Sequence, residues 1–377
     1  MTGVGELTDR QALVDLGAIT ANVAALCEAV RGSEVLAVVK ADGYGHGMVP
    51  AAQAALAGGA RWLGVADIAE ALTLRKAGIT VRVLCLMAFG DPGEAVAQGI
   101  DLPAGSVAYV AKVAAAADRV GRPARLHLEA DTGLSRGGAT PADWPAVLRA
   151  ALAAQDRGQI QVAGLWSHFA CADLPGHPSI EAQLAAFATA VATAEQAGVT
   201  PEVRHIANTA AGLTVPASRY DLVRFGGAIY GLSTLPGGAP GWLRPAMTLS
   251  ARLVLVKRVP AGTGVSYGHR YVTSRETTLG LVPLGYADGV PRGAAGLPLV
   301  SARGRRWPIA GTVCMDQFVV DFGDEPAAVG DEVVLFGPGE DGELTAQEWG
   351  EALGTISYDL ATGLGGRVPK IHTGGSR

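Results

Sequence analysis

Four cysteines in 377 residues, Cys27, Cys85, Cys171 and Cys314, are too scattered for the paired spacing of a metal site and sit mostly among apolar neighbours, so buried, reduced thiols are expected. Long apolar runs are missing too: no stretch reaches the ~18 uninterrupted apolar residues of a membrane span. Glu6, Asp9, Arg10 and Asp15 break up the N-terminus before any apolar run of useful length, which excludes an ordinary secretory signal and gives the expectation of a soluble, cytoplasmic protein. Basic runs interleaved with aromatics are absent, and with a net charge of -5 nothing favours a phosphate-backbone partner, so no nucleic-acid binding is expected.

What is present is a two-part texture. Up to about residue 235, β-branched runs at 13–16, 35–40, 62–66, 81–86, 125–130, 162–167, 203–207 and 222–225 alternate with alanine-rich segments at helical spacing. Eight βα repeats predict a closed parallel barrel. A Pro/Gly connector at 235–241 follows, and beyond it short alternating strands at 251–259, 277–284, 317–321 and 331–336 accompany one helical pattern at 345–353. The predicted fold is α/β, an N-terminal (β/α)8 TIM-like barrel over 1–240 and a C-terminal mainly β domain over 241–377, with the first strand open to joining the second domain. Barrels carry their sites on the loops after their strands, and Lys40, Arg136, His168, Asn208 and Arg224 all fall at or just beyond predicted strand ends.

The run Val35-Leu36-Ala37-Val38-Val39 leads straight into Lys40 and then Ala41-Asp42-Gly43-Tyr44-Gly45-His46-Gly47. A lone lysine is ordinarily exposed. Here a buried strand holds the ammonium where desolvation lowers its pKa, and glycines let a substrate approach its nitrogen, so the lysine is suited to Schiff-base chemistry. The string 38–47 resembles the cofactor-lysine motif of alanine racemases. That resemblance implies that Lys40 carries pyridoxal 5'-phosphate and that Tyr44 holds its phosphate.

Further segments resemble the same family, in the same order. Asp131-Thr132-Gly133-Leu134-Ser135-Arg136 resembles the segment whose arginine lies near the cofactor phenolate and the substrate carboxylate. Glu129 stands where many of these racemases have a carbamylated lysine, and its fixed negative charge is expected to orient Arg136 through a charge-assisted hydrogen bond. His168 matches a histidine beside the cofactor ring. Asn208 and Thr209 match the segment whose hydroxyl contacts the phosphate, with threonine in place of the usual serine, and His205 lies one shell out, where it is expected either to orient Arg224 or to serve an ordinary structural role. The segment 223–231 resembles the one that gives an arginine, here Arg224, to the pyridine nitrogen and backbone amides, here Gly226 and Gly227, to the phosphate. Gly227 replaces a larger apolar residue. An arginine only donates hydrogen bonds, so it leaves that nitrogen unprotonated and limits the ring as an electron sink.

In the second half, Gly264-Val265-Ser266-Tyr267-Gly268 resembles the segment that supplies the other catalytic base. Racemisation needs a proton removed from one face of the α-carbon and returned to the other, which makes Lys40 and Tyr267 the expected pair. A cationic network of His168 and Arg224 is expected to tune the tyrosine. By resemblance, Tyr286 narrows the substrate entrance, Met315 offers its amide to the substrate carboxylate, Asp316 stands one shell out and Tyr358 reaches the phosphate. Asp359 and Lys370 replace a commoner glutamate and arginine.

The matches extend from Lys40 to Lys370 and imply an alanine racemase acting on L- and D-alanine, with D-alanine destined for cell-wall peptidoglycan. They also imply a head-to-tail homodimer with two shared sites. The alternatives are a racemase of broader substrate range, a non-catalytic pyridoxal-phosphate carrier and a fold-related decarboxylase. Tyr267, Met315 and the β-rich half count against the carrier, and Arg224 counts against the decarboxylase.

Overall fold

The computed structural model describes residues 9–87 and 89–375. The chain opens with strand β1 (Arg10–Asp15) and then alternates strands with helices through β2 (Glu34–Val38), β3 (Trp62–Val65), β4 (Arg82–Cys85), β5 (Leu102–Ala104), β6 (Ala124–Glu129), β7 (Ile160–Trp166), β8 (Val203–His205) and β9 (Leu222–Phe225). These form two parallel sheets, in the orders β4-β3-β2-β9 and β5-β6-β7-β8. The Cys85 and Asp101 amides donate to the Asp101 and Val83 carbonyls at 3.0 and 2.9 Å, tying the edge of one sheet to the other. At the opposite edges, the Arg224 and Asp221 amides donate to the Ala207 and Arg204 carbonyls at 3.1 Å each.

Helices between the strands start where the sequence supplies caps. Asp15, Asp67 and Ser106 accept from the amides of Ala18, Glu70 and Tyr109 at 3.1, 3.0 and 3.2 Å, satisfying donors that a helix start leaves open. Alanines at 51, 52, 54 and 55, at 114, 116 and 117, and at 151 and 154 are buried, so these helices lie close on the sheets.

One of the eight predicted barrel strands belongs elsewhere. The segment predicted at 13–16 forms β1, which pairs antiparallel with β10 (Met247–Arg252) and parallel with Lys370–Thr373 in a six-stranded sheet of the second half. The strand that completes the parallel set is β5, only three residues long and carrying Pro103, which lacks a ladder donor. The predicted strand at 251–259 also divides: β10 and Leu255–Val259 lie in different sheets, the second paired with Thr277–Val282 and through it with Phe318–Gly323. The C-terminal part is thus mostly β, with helices at Ala346–Leu353 and Ser357–Thr362. Thr345 and Glu348 cap the first of these reciprocally, at 3.2 and 2.7 Å.

The turn after β2 is the most strained backbone near the strand ends. Ala41, Asp42 and Tyr44, all with side chains, join Gly43 and Gly45 at positive φ, a left-handed turn that costs roughly 1–2 kcal/mol for each non-glycine residue. Several contacts hold it. The Asp42 carboxylate accepts from the Met48 amide at 2.9 Å and from Lys370 Nζ at 2.7 Å, and Glu70 Oε1 accepts from the Ala41 amide at 2.7 Å. Gly45 has φ +81°, and a Cβ there would overlap the Ala361 carbonyl oxygen. Gly45→Ala should therefore lower the free energy of unfolding by about 2 kcal/mol or more, measured by denaturant titration; an unchanged midpoint would show that the turn is not locked against the Ser357–Thr362 helix.

Candidate active site

A cavity of about 820 Å³ opens where the parallel strands end, and Lys40, Tyr44, Glu129, Arg136, His168, Asn208, Thr209, Arg224, Gly226, Gly227 and Tyr358 all line it. Residues from strand ends and loops spread over more than 300 positions of sequence thus share one space. Burial lowers the pKa of the Lys40 ammonium, the Arg136 charge lowers it further, and Glu70 acts in the opposite direction. A larger neutral fraction of amine results, which is the nucleophilic form.

Arg224 is only 3% exposed. Its two terminal nitrogens donate to His205 Nδ1 at 2.8 Å, His168 Nδ1 at 2.9 Å, and the Ser167 and Ile206 carbonyls at 2.9 and 3.1 Å. Nε takes no partner among the described residues. The guanidinium also lies 5.1 Å from the centre of the Trp166 ring, which itself stacks on His205.

Opposite, three hydroxyls gather around two glycines. The Gly226 amide donates to Thr209 Oγ1 at 3.2 Å, and Asn208 caps the short helix Thr209–Thr214 through the Ala211 amide at 3.0 Å. The Tyr44 and Tyr358 rings meet edge to face at 5.4 Å. A Cβ on Gly226 would overlap the Tyr44 hydroxyl, and one on Gly227 the Tyr358 ring, so a larger residue at 227 has no room here. Burial keeps both phenols protonated, raising Tyr44 well above its usual range and Tyr358 to about 12. They therefore remain donors facing an anion, which fits a phosphate, while the open Arg224 Nε fits the acceptor nitrogen of a ring.

Two expectations need correction. No hydrogen bond or ion pair joins Glu129 to Arg136 among the described residues; Glu129 instead lines the cavity, its carboxyl raised to about 7 by burial against the opposing charges of Arg224 and Arg136. His168 is not a cation, since burial and the charges of Arg224, Arg136 and Lys40 hold it down at about 3. Tyr267, Tyr286 and Met315 lie outside the cavity lining, 71%, 45% and 54% exposed, on neighbouring loops of the second half. The Tyr267 carbonyl accepts from Thr312 Oγ1 at 3.1 Å, the Tyr286 and Ala287 amides donate to Cys314 and Met315 at 3.0 Å each, and exposed Asp316 pairs with Arg367 at 2.7 Å.

The sequence reading missed the far wall of the cavity, made by Leu86, Met87, Phe89, Ser106 and Tyr109. Its signal was the helix-capping Ser106 just beyond β5, hidden because β5 itself does not read as a strand. The four cysteines are free, Cys85 buried and the other three half-buried.

A cavity with a reactive amine at one end and hydroxyl donors at the other can hold a phosphorylated carbonyl compound covalently, which is the equipment of an enzyme of amine chemistry. Family models place the chain more closely: that of the alanine racemase N-terminal domain matches residues 14–234, and that of the C-terminal domain matches 246–372. The alanine racemase of Thermobifida fusca is 58% identical over 370 residues, covering 97% of this chain and 99% of that one. Among solved structures, the alanine racemase from a D-cycloserine-producing Streptomyces lavendulae superposes with a TM-score of 0.96 at 53% identity, covering 98% of each chain. The one from Streptomyces coelicolor gives 0.96 at 51%, covering 98% of this chain and 99% of that one. The chain belongs to the alanine racemase family.

The buried imidazoles make stability depend on pH. Burial, chiefly, holds His46 at about 4, His168 at about 3 and His205 well below the usual range. Unfolding frees them to take protons near ~6.5, so below that pH the unfolded chain binds more protons and stability falls as the pH falls. Glu129 acts with the opposite sign: protonated when folded, it adds stability present below ~4.5 and lost as the pH rises through its folded value of about 7. With three imidazoles against one carboxyl, the cofactor-free protein should show a lower denaturant midpoint at pH ~5 than at pH ~7.5. Equal midpoints would contradict the buried, neutral histidines.

Proposed function

We infer that this protein interconverts L-alanine and D-alanine by two-base proton exchange with pyridoxal 5'-phosphate, and so supplies D-alanine for peptidoglycan. The observation that carries this reading is the placement of Lys40, its ammonium pKa lowered, in one cavity with the Arg224 guanidinium and the Tyr44, Thr209 and Tyr358 hydroxyls. Bound there, pyridoxal phosphate supplies a ring that takes up the electron pair left behind when the α-proton departs. Lys40 would hold that group, and its amine is placed to take or return the α-proton on one face of the substrate. Arg224, which can only donate, would hold the ring nitrogen and keep a proton off it, which would favour reprotonation of the α-carbon over decarboxylation. Tyr44, Thr209, Tyr358 and the Gly226 and Gly227 amides take the phosphate, with Asn208 fixing the helix start beside them. His168 lies beside the ring and His205 orients Arg224, while Arg136 holds the substrate carboxylate.

The second base is Tyr267. Because it lies on the surface away from its own chain's cavity, the partner subunit's Tyr267 faces Lys40 in a head-to-tail homodimer, together with Tyr286 at the entrance, the Met315 amide on the carboxylate and Asp316 behind it. Exposure of these large side chains on one face supports that arrangement. The two parallel sheets, hydrogen-bonded at both pairs of edges, support reading β2 to β9 as a closed (β/α)8 barrel within 1–240, with 241–377 as the second domain. Among the described residues no helix is long and apolar enough to cross a membrane, and the cytoplasm is the proposed location.

Purified protein with pyridoxal phosphate should form D-alanine from L-alanine, and Lys40→Ala should lose at least ~10³-fold of that activity. A wild-type protein that binds the cofactor yet leaves L-alanine unchanged would overturn the assignment in favour of another amino acid or a carrier role. Carbon dioxide release would point to decarboxylation.

A further inference from the structure

Behind Arg224, on the side away from the cavity, the interior between the parallel sheets is polar where an apolar core would be expected. His205 Nε2 lies 2.9 Å from His127 Nδ1, and His127 Nε2 lies 3.1 Å from Asp101 Oδ2. Asp101 also accepts from Arg125 Nε at 3.0 Å and sits 3.8 Å from Arg82, beside a separate cleft at the opposite ends of the strands. Asp101, His127, His205 and Arg224 are each more than nine-tenths buried. An unbroken line of hydrogen bonds therefore crosses the molecule from the cavity to the far face.

The direction of each bond follows from what Arg224 can do. A guanidinium only donates, so His205 Nδ1 must be bare and accept. His205 is neutral, held well below the ordinary imidazole range chiefly by burial, so its proton is on Nε2 and is donated to His127 Nδ1. His127 Nδ1 is then bare as well, and its Nε2 proton goes to Asp101. A proton on both nitrogens of His127 would set two N–H groups against each other. Local packing is shaped for this line: a Cβ on Gly164 would overlap the His127 ring, and the β6–β7 ladder slips register between Leu126 and His127, a bulge that re-aims the side chain.

We propose that Asp101, His127 and His205 form a one-way hydrogen-bond chain that fixes and charge-balances the buried Arg224 guanidinium, making the three of them positioning residues for the racemase reaction. Arg224 has no carboxylate in direct contact among the described residues. The Asp101 charge reaches it through two polarised neutral rings, each of which accepts on one side and donates on the other. Such a chain keeps Arg224 a pure donor toward the cavity without placing an anion beside the reacting ring. The inference rests on the racemase reading only for the consequence at the reaction site; the chain itself belongs to the protein alone.

The test has two arms. In cofactor-free wild-type protein labelled with ¹⁵N-histidine, His205 and His127 should both appear at neutral pH as single Nε2–H tautomers, and His205 should stay neutral between about pH 6 and 8. An Nδ1–H tautomer at either position, or a His205 ring that titrates in that range, overturns the proposal. In the second arm, Asp101→Asn removes the charge while keeping the shape. It should abolish the single tautomer of His127, shift the absorption band of the bound cofactor and lower kcat about tenfold while KM for alanine stays within about twofold, the order of loss expected when an outer hydrogen-bond partner goes. Unchanged tautomers, spectrum and kcat in that variant would overturn it equally. If Asp101→Asn does not fold, the wild-type tautomers decide. If wild-type protein is no racemase, the function fails while the tautomer arm still stands or falls by itself.

Discussion

A guanidinium buried in the floor of a cavity, with no carboxylate touching it, is the constraint on which this site depends. Stripping such a charge of water is costly unless every donor finds a partner. The two terminal nitrogens of Arg224 meet that demand with two backbone carbonyls and two imidazoles, while Nε takes no partner among the described residues, and the arrangement propagates. Both histidines must be neutral to accept its protons, Trp166 must stack against His205, and the carbonyls of Ser167 and Ile206 must turn inward at the ends of adjacent strands. Burial pulls the Arg224 pKa down to about 9, with Glu129 opposing the fall, so the guanidinium remains charged at neutral pH.

The same concentration of positive charge shapes the neighbours. Lys40 and His168 are both pushed toward their neutral forms, chiefly by burial, with Arg136 adding to the shift of each and Arg224 to that of His168. An amine that is less readily protonated is a better nucleophile and a better base, so the site converts a cost of burial into reactivity. The left-handed turn after Lys40 serves the same end. It carries the chain away from β2 sharply enough to bring Tyr44 back against Tyr230 and Tyr358, with ring centres 5.2 and 5.4 Å away.

The cavity residues were legible because each sits in a short, ordered string at a strand end: Lys40 after an apolar run, Arg136 in a glycine-bearing loop, Arg224 before paired glycines. What was not legible involves distance or absence of pattern. The three-residue β5 has too little length and one proline too many to read as a strand, so the wall it carries was overlooked, and β1 was counted among the eight barrel strands with its place in the second domain left open, because its partners lie more than 230 residues away. The charge state of His168 depends on burial and on three cations, Arg224, Arg136 and Lys40, that converge from distant parts of the sequence, which no local string reveals. Glu129 was expected to pair with Arg136 because it stands where many members of the resembled family have a carbamylated lysine, yet no hydrogen bond joins the two among the described residues, and burial raises the carboxyl to about 7 against the opposing charges of Arg224 and Arg136.

On the proposed reading, one chain provides a cavity with one base, Lys40, and carries the second, Tyr267, on its surface. The most direct test mixes Lys40→Ala and Tyr267→Phe chains under conditions that exchange subunits. If sites are shared between subunits, half of the dimers are mixed and each mixed dimer has one intact site, so two inactive proteins should together recover about a quarter of wild-type racemisation. A mixture that forms mixed dimers and stays as inactive as its components would contradict a tyrosine contributed across the interface.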